Sequence, residues 1–123
     1  DCGNVINPMV VEGQILGGIA QGVGQALYEH GIYDDEGQLV TGSMLDYTMP
    51  RADNFPMIDS DRIETPSPSN SLGVKGVGEM GSITSPPAVV NAVVDALSDY
   101  GVKHIDMPLT SEKIWNIIQT NGG

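Results

Sequence analysis

The segment Gly73-Val74-Lys75-Gly76-Val77-Gly78-Glu79-Met80-Gly81 sets glycines around a single carboxylate. Such a stretch makes a poor helix and a poor strand, because glycine loses more backbone entropy on ordering than any other residue. It therefore has a backbone purpose. Either the chain turns sharply there, or it comes very close to a bulky ligand and presents Glu79 to it. A second stretch raises the same question. From Gln14 to His30 the apolar residues Ile15, Ile19, Val23, Ala26 and Leu27 recur at helical spacing. Gly13, Gly17, Gly18, Gly22 and Gly24 interrupt them, each at about 1 kcal/mol relative to alanine in a helix interior. A helix built this way lets another backbone or a ligand lie directly against it, with the amides of Gln14, Gln21 and Gln25 available for hydrogen bonds.

Composition narrows the class. The 123 residues suffice for one domain, 1–123, with a modest core. Sixteen glycines against one phenylalanine and one tryptophan leave few large anchors, so part of the packing is expected from another segment or subunit. The start at Asp1 without a methionine points the same way, to a piece of something longer. Sixteen acidic against five basic residues, a formal charge of −11, repel phosphate backbones and anionic headgroups. Nucleic acid is therefore not an expected partner, and no window approaches the roughly 18 apolar residues that insert into a bilayer. Cys2 is the only cysteine, which excludes an internal disulfide and a thiolate metal cluster and fits a reducing, cytoplasmic setting.

The remaining elements read as an α+β pattern, with three main helices among short mixed or antiparallel strands. Asp1–Pro8 reads as a strand running into a turn, and Gly31 as a left-handed cap on the first helix. Ile32–Thr41 reads as a hairpin turning at Asp34-Asp35-Glu36-Gly37, with further strands at Met44–Met49, Arg62–Thr65 and His104–Met107. Ser85-Pro86-Pro87 is a suitable helix start, and Ala88–Leu97 is apolar nearly all round, hence buried. Tyr100-Gly101 closes it. Thr110 caps a last helix whose Ile114, Trp115 and Ile118 share a face.

Three chemistries are open to the Glu79 loop. A phosphate-cradling P-loop needs lysine followed by serine or threonine, and here Gly76 follows Lys75. A dinucleotide fingerprint needs a strand directly before its glycines, which neither Gly22-Val23-Gly24 nor Gly76-Val77-Gly78 has. The third is a general base, a glutamate placed by a tight loop against a reacting group. Lys75 pairs either with a cofactor phosphate or with an acidic neighbour. His30 and His104 lack metal-ligand spacing to one another, and Asp34-Asp35-Glu36 lacks the pattern of an EF-hand.

Six blocks together are more specific than any of these motifs. They are Gly13–Leu27, Tyr33-Asp34, Asp46-Tyr47 with Pro50, Gly73–Glu79, Pro86-Pro87-Ala88 and Met107-Pro108-Leu109-Thr110. In that order they resemble the C-terminal part of the molybdopterin-binding subunit of the xanthine dehydrogenase, aldehyde oxidase and aerobic carbon monoxide dehydrogenase family. The resemblance implies a molybdenum hydroxylase using water as its oxygen source, in which Glu79 is the catalytic base beside the metal and takes the proton from the attacking oxygen. It implies that Gln14 hydrogen-bonds the molybdopterin, with Gln21, the amides around Gly22, Lys75 and the Gly76-Val77-Gly78 backbone as further cofactor contacts. Gly81 is expected, with Gly76 and Gly78, to let the backbone approach the cofactor.

The cytosine dinucleotide form of the cofactor is expected, with iron-sulfur clusters and FAD on partner subunits or domains. A complete subunit is several times longer, so its upstream part is an expected partner and this chain alone is expected to be inactive. Cys2 does not match the copper-holding cysteine of the carbon monoxide enzymes. The substrate stays open among carbon monoxide, aldehydes, xanthine and heterocycles. The alternative reading is a non-catalytic interaction module, whose glycine-rich helix packs on a partner domain or subunit.

Overall fold

The computed structural model of the chain describes residues 1–121. Its first helix, α1, spans Pro8–Leu27 and starts earlier than the apolar repeat suggested. Asn7, in extended conformation, accepts a hydrogen bond from the Val10 amide through its side chain at 3.2 Å, and Pro8 occupies the first turn, where a missing N–H costs nothing. Asn7-Pro8 is thus a helix start, not the turn after a strand. α1 ends at Tyr28, whose amide and that of Glu29 both reach the Gly24 carbonyl, at 2.9 and 2.8 Å. Gly31 is not in the left-handed region.

The second helix, α2, spans Met80–Ala96 with Pro86 and Pro87 inside it, so Ser85 lies within the helix and does not cap it. α2 ends ahead of Tyr100-Gly101, the close expected from the sequence: a short 3-10 turn at Ser98–Tyr100 follows it, and Gly101, at φ 74°, closes that turn in the left-handed conformation. The third helix, α3, spans Ser111–Asn121, and Thr110 accepts from the Lys113 amide at 3.3 Å as its cap.

The three helices are present, but the α+β expectation is wrong: among the described residues there is no strand, and the fold is all helical. Two isolated bridges form among these residues, Gly3 with Val74 and Tyr33 with Leu39. A strand exists only if a second backbone answers its donors and acceptors, and here local polar groups answer first. The Asp34 carboxylate takes the amides of Glu36 and Gln38 at 3.0 and 2.8 Å, which reduces the expected hairpin to a turn with one bridge. The Ser43 carbonyl takes the amides of Asp46 and Tyr47, which coils the expected strand at Met44–Met49.

The core is small. Leu97, Ile105 and Leu109 form its centre, with Ile114, Ile117 and Ile118 of α3 packed against them. Trp115 stays 60% exposed, so the inner face of α3 is formed by isoleucines without the tryptophan. The Leu109 amide donates to the Ala26 carbonyl at 2.6 Å, joining this core to the end of α1. α2 is not the buried helix its composition suggested. Gly81, Ser85 and Pro86 are its buried residues, and Leu45, Met57 and Ile63 in the long connection are 93, 96 and 79% exposed.

Candidate active site

Glu79 is the residue at which α2 begins. Its side chain is exposed and makes no capping bond, so the first-turn amides of α2 have no side-chain acceptor. The loop before it is open. An added Cβ at Gly76 or at Gly78 would meet nothing within 4 Å, whereas Val77 between them turns into an apolar cavity of about 310 Å³ with Ile6, Val10, Val11 and Leu72.

The start of the loop is pinned to the N-terminal segment. The Asn4 amide donates to the Gly73 carbonyl at 3.1 Å and the Lys75 amide to the Cys2 carbonyl at 2.8 Å. Asp1 gathers three segments: Oδ1 accepts from the amides of Gly3 and Thr65, at 2.9 and 3.0 Å, and Oδ2 pairs with Lys75 Nζ at 2.5 Å. Of the two partners open to Lys75 from the sequence, this is the acidic neighbour. Cys2 is buried and free.

The other side of the site is the contact between α1 and α2. An added Cβ at Gly18 would lie 2.9 Å from Gly81 Cα, and one at Gly22 would lie 1.9 Å from Ser85 Oγ and 2.7 Å from Pro86 Cδ. Both numbers rise together along the contact, so the two helices pass each other in the same direction. Gln14, one turn before Gly18, is therefore at the end of the contact where the Glu79 loop enters α2. Gln14 and Gln21 are both exposed. Gly22 is buried against Ser85 and Pro86, and Gly81 is closed off by Ile15 and Ile19, so of Gly76, Gly78 and Gly81 in the loop only the first two face open space. The sequence showed that the glycine-rich helix admits a close neighbour. It did not show that the neighbour is α2, because α2 was expected to start only after Gly81.

The hydroxyls around Glu79 escaped the sequence reading. Ser82 Oγ donates to the Glu79 carbonyl at 3.1 Å, Thr84 Oγ1 to the Met80 carbonyl at 2.8 Å and Ser85 Oγ to the Gly81 carbonyl at 2.6 Å. The signal was the run Ser82-Ile83-Thr84-Ser85, whose side chains bond back to carbonyls three or four residues earlier only once the run is helical. His104 pairs with Asp106 at 2.9 Å, far along the chain from this region.

The donor set suits a large polar cofactor. Helix-start amides without a side-chain acceptor donate to anionic or polar acceptor groups, side-chain-free positions allow close approach, and primary amides match the edge of a pterin ring. The comparisons with known proteins agree. The family model of the molybdopterin cofactor-binding domain matches residues 1–56. The nicotine 6-hydroxylase large subunit of Paenarthrobacter nicotinovorans is 51% identical over 93% of this chain and 14% of its own length. The carbon monoxide dehydrogenase large chain of Hydrogenophaga pseudoflava is 41% identical over 97% of this chain and 15% of its own. The crystal structure of quinoline 2-oxidoreductase from Pseudomonas putida 86 superposes with a TM-score of 0.93 at 51% identity, covering 98% of this chain and 15% of that one.

The chain belongs to the molybdopterin-binding subunits of the xanthine dehydrogenase and carbon monoxide dehydrogenase family. It spans about one-seventh of the length of the relatives it matches. No helix among the described residues is long and apolar enough to cross a membrane.

Proposed function

We propose that this chain is the cofactor-binding and catalytic-base portion of a molybdenum hydroxylase that oxidises a carbon centre with water as the source of oxygen. The observation that carries the reading is the placement of Glu79: an exposed carboxylate at the uncapped start of α2, beside the open positions Gly76 and Gly78, at the same end of the helix contact as Gln14. Gln14 and Gln21 hold the pterin through their amides, and the Gly76-Val77-Gly78 backbone lies against it. Lys75, paired with Asp1 at the loop's base, is a further contact to the cofactor. The cofactor, in its cytosine dinucleotide form, supplies the two-electron oxidation when bound.

The part left to this chain is proton chemistry. The Glu79 carboxylate accepts the proton lost by the water-derived nucleophile as it attacks, and the start of α2 sets where the Glu79 backbone lies. The chain works within a cytoplasmic assembly, with the remainder of the molybdenum subunit completing the substrate pocket and iron-sulfur and FAD partners accepting electrons. The exposed apolar side chains of the long connection support such an assembly. Glu79→Gln in the intact assembly should abolish turnover with molybdenum content near normal, because an amide keeps the shape but cannot take the proton. Retained turnover would sink the assignment. A purified native assembly without molybdenum would instead favour an interaction module.

A further inference from the structure

The prolines of α2 make the position of Glu79 a mechanical question. Pro86 and Pro87 have no N–H to offer the carbonyls of Ser82 and Ile83, so two consecutive rungs of the helix ladder are missing just after the first turn and a half. The segment Met80–Ser85, with Glu79 at its head, is thus weakly tied to the rest of its own helix. It is held instead from the side. Gly18 and Gly81 touch backbone to backbone, and the buried Ser85 hydroxyl sits over Gly22 while donating to the Gly81 carbonyl at 2.6 Å. Neither glycine of α1 has room for a methyl group. Gly17, one residue away on the same helix, has nothing within 4 Å of an added Cβ.

We propose that Gly18, Gly22 and Ser85 are positioning residues for Glu79: the close contact between α1 and the start of α2 sets where the carboxylate lies. The proposal rests on the reading of Glu79 as the base. A methyl group at Gly18 cannot be absorbed by a flexible side chain, because what it meets is the Gly81 and Ser82 backbone, at 2.9 and 3.0 Å. The start of α2 must move away, and a displacement of about 1 Å at a reacting group costs on the order of 100-fold in rate. At Gly22 a methyl group would meet Ser85 Oγ at 1.9 Å and the ring carbon Pro86 Cδ at 2.7 Å, so removing the hydroxyl relieves the nearer of two clashes.

The test uses the intact molybdenum-containing assembly carrying this sequence, with molybdenum content, kcat, KM and amide hydrogen exchange measured on each variant. Gly18→Ala should lower kcat by about 100-fold, leave KM and molybdenum content close to wild type, and speed exchange of the Gly81–Ser85 amides. Gly17→Ala, adjacent in sequence but clear of α2, should leave exchange of the Gly81–Ser85 amides as in wild type. Gly22→Ala should lower kcat, and Gly22→Ala with Ser85→Ala should recover part of the loss, a coupling expected only of residues in contact.

Wild-type kcat in Gly18→Ala, or a loss of kcat that only follows lost molybdenum, overturns the proposal. Should Gly18→Ala fail to accumulate, the Gly22 and Ser85 variants decide: wild-type kcat in Gly22→Ala, or strictly additive losses for Gly22→Ala and Ser85→Ala, overturns it. An inactive Glu79→Gln beside a fully active Gly18→Ala removes the positioning role and leaves the base in place, whereas an active Glu79→Gln removes the base itself.

Discussion

Gly3 and Gly73 meet backbone to backbone: a Cβ on Gly3 would stand 2.1 Å from the Gly73 carbonyl oxygen, and both residues have positive φ, 64° and 66°. The contact anchors the first residues of the Glu79 loop to the N-terminal segment, where the Asn4 and Lys75 amides complete it. Gly3→Ala should destabilise the chain by at least about 1–3 kcal/mol from the backbone conformation alone, with the steric clash in addition. Faster proteolysis of the 73–79 loop in the variant would show that the anchor has failed. Unchanged cleavage would mean that the loop is held elsewhere.

Leu109 is 1% exposed and lies at the centre of a core with few other fully buried side chains. Leu109→Ala should cost about 2–5 kcal/mol, a large share of the stability of a chain this size. The expected readout is a lowered denaturant midpoint, with loss of α3 protection in hydrogen exchange before that of α1. Val40→Ala, at a position 55% exposed, is the comparison and should shift the midpoint little.

The long connection after α1 is tied back to it by Tyr47, whose hydroxyl donates to Glu29 Oε2 at 3.0 Å. This hydrogen bond, with some desolvation and the Glu29 charge, raises the Tyr47 phenol above its ordinary value of 10.0. A group raised in the folded state contributes stability that is complete below its unfolded value and is lost as pH rises through the folded one. The contribution should therefore persist up to about pH 10 and fade above it. Tyr47→Phe should remove the late-titrating component of tyrosinate absorbance and flatten stability in the alkaline range. An unchanged titration would place the late component on another tyrosine.

Exposed apolar side chains such as Met9, Met44, Leu45 and Met57 predict the behaviour of the chain when isolated. It should bind a hydrophobic dye at neutral pH and lose that signal when assembled with its partners. Cooperative unfolding without dye binding would show that these side chains are accommodated within the chain.

Much of the site was legible because its signals are local. Glycine around Glu79 announces a backbone constraint wherever the loop ends up, and glycine within an amphipathic repeat announces a close neighbour. The start of α1 at Asn7-Pro8 was equally local, and reading those residues as strand and turn overlooked a capping signal that was there. The strands failed for a different reason. Ile32–Thr41 and Met44–Met49 have suitable residue types, but pairing needs a second backbone, and the Asp34 carboxylate and the Ser43 carbonyl captured the amides first.

By itself, then, the sequence determined three helices, an isolated carboxylate in a loop with few side chains, and the family. Tertiary structure alone decided that α2 begins at Met80, ahead of its two prolines, and that Gly18 and Gly22 receive the start of that helix. The reason is that a helix interrupted by prolines is unfavourable in isolation, and only packing against a surface as bare as that of α1 makes its first turn worth forming.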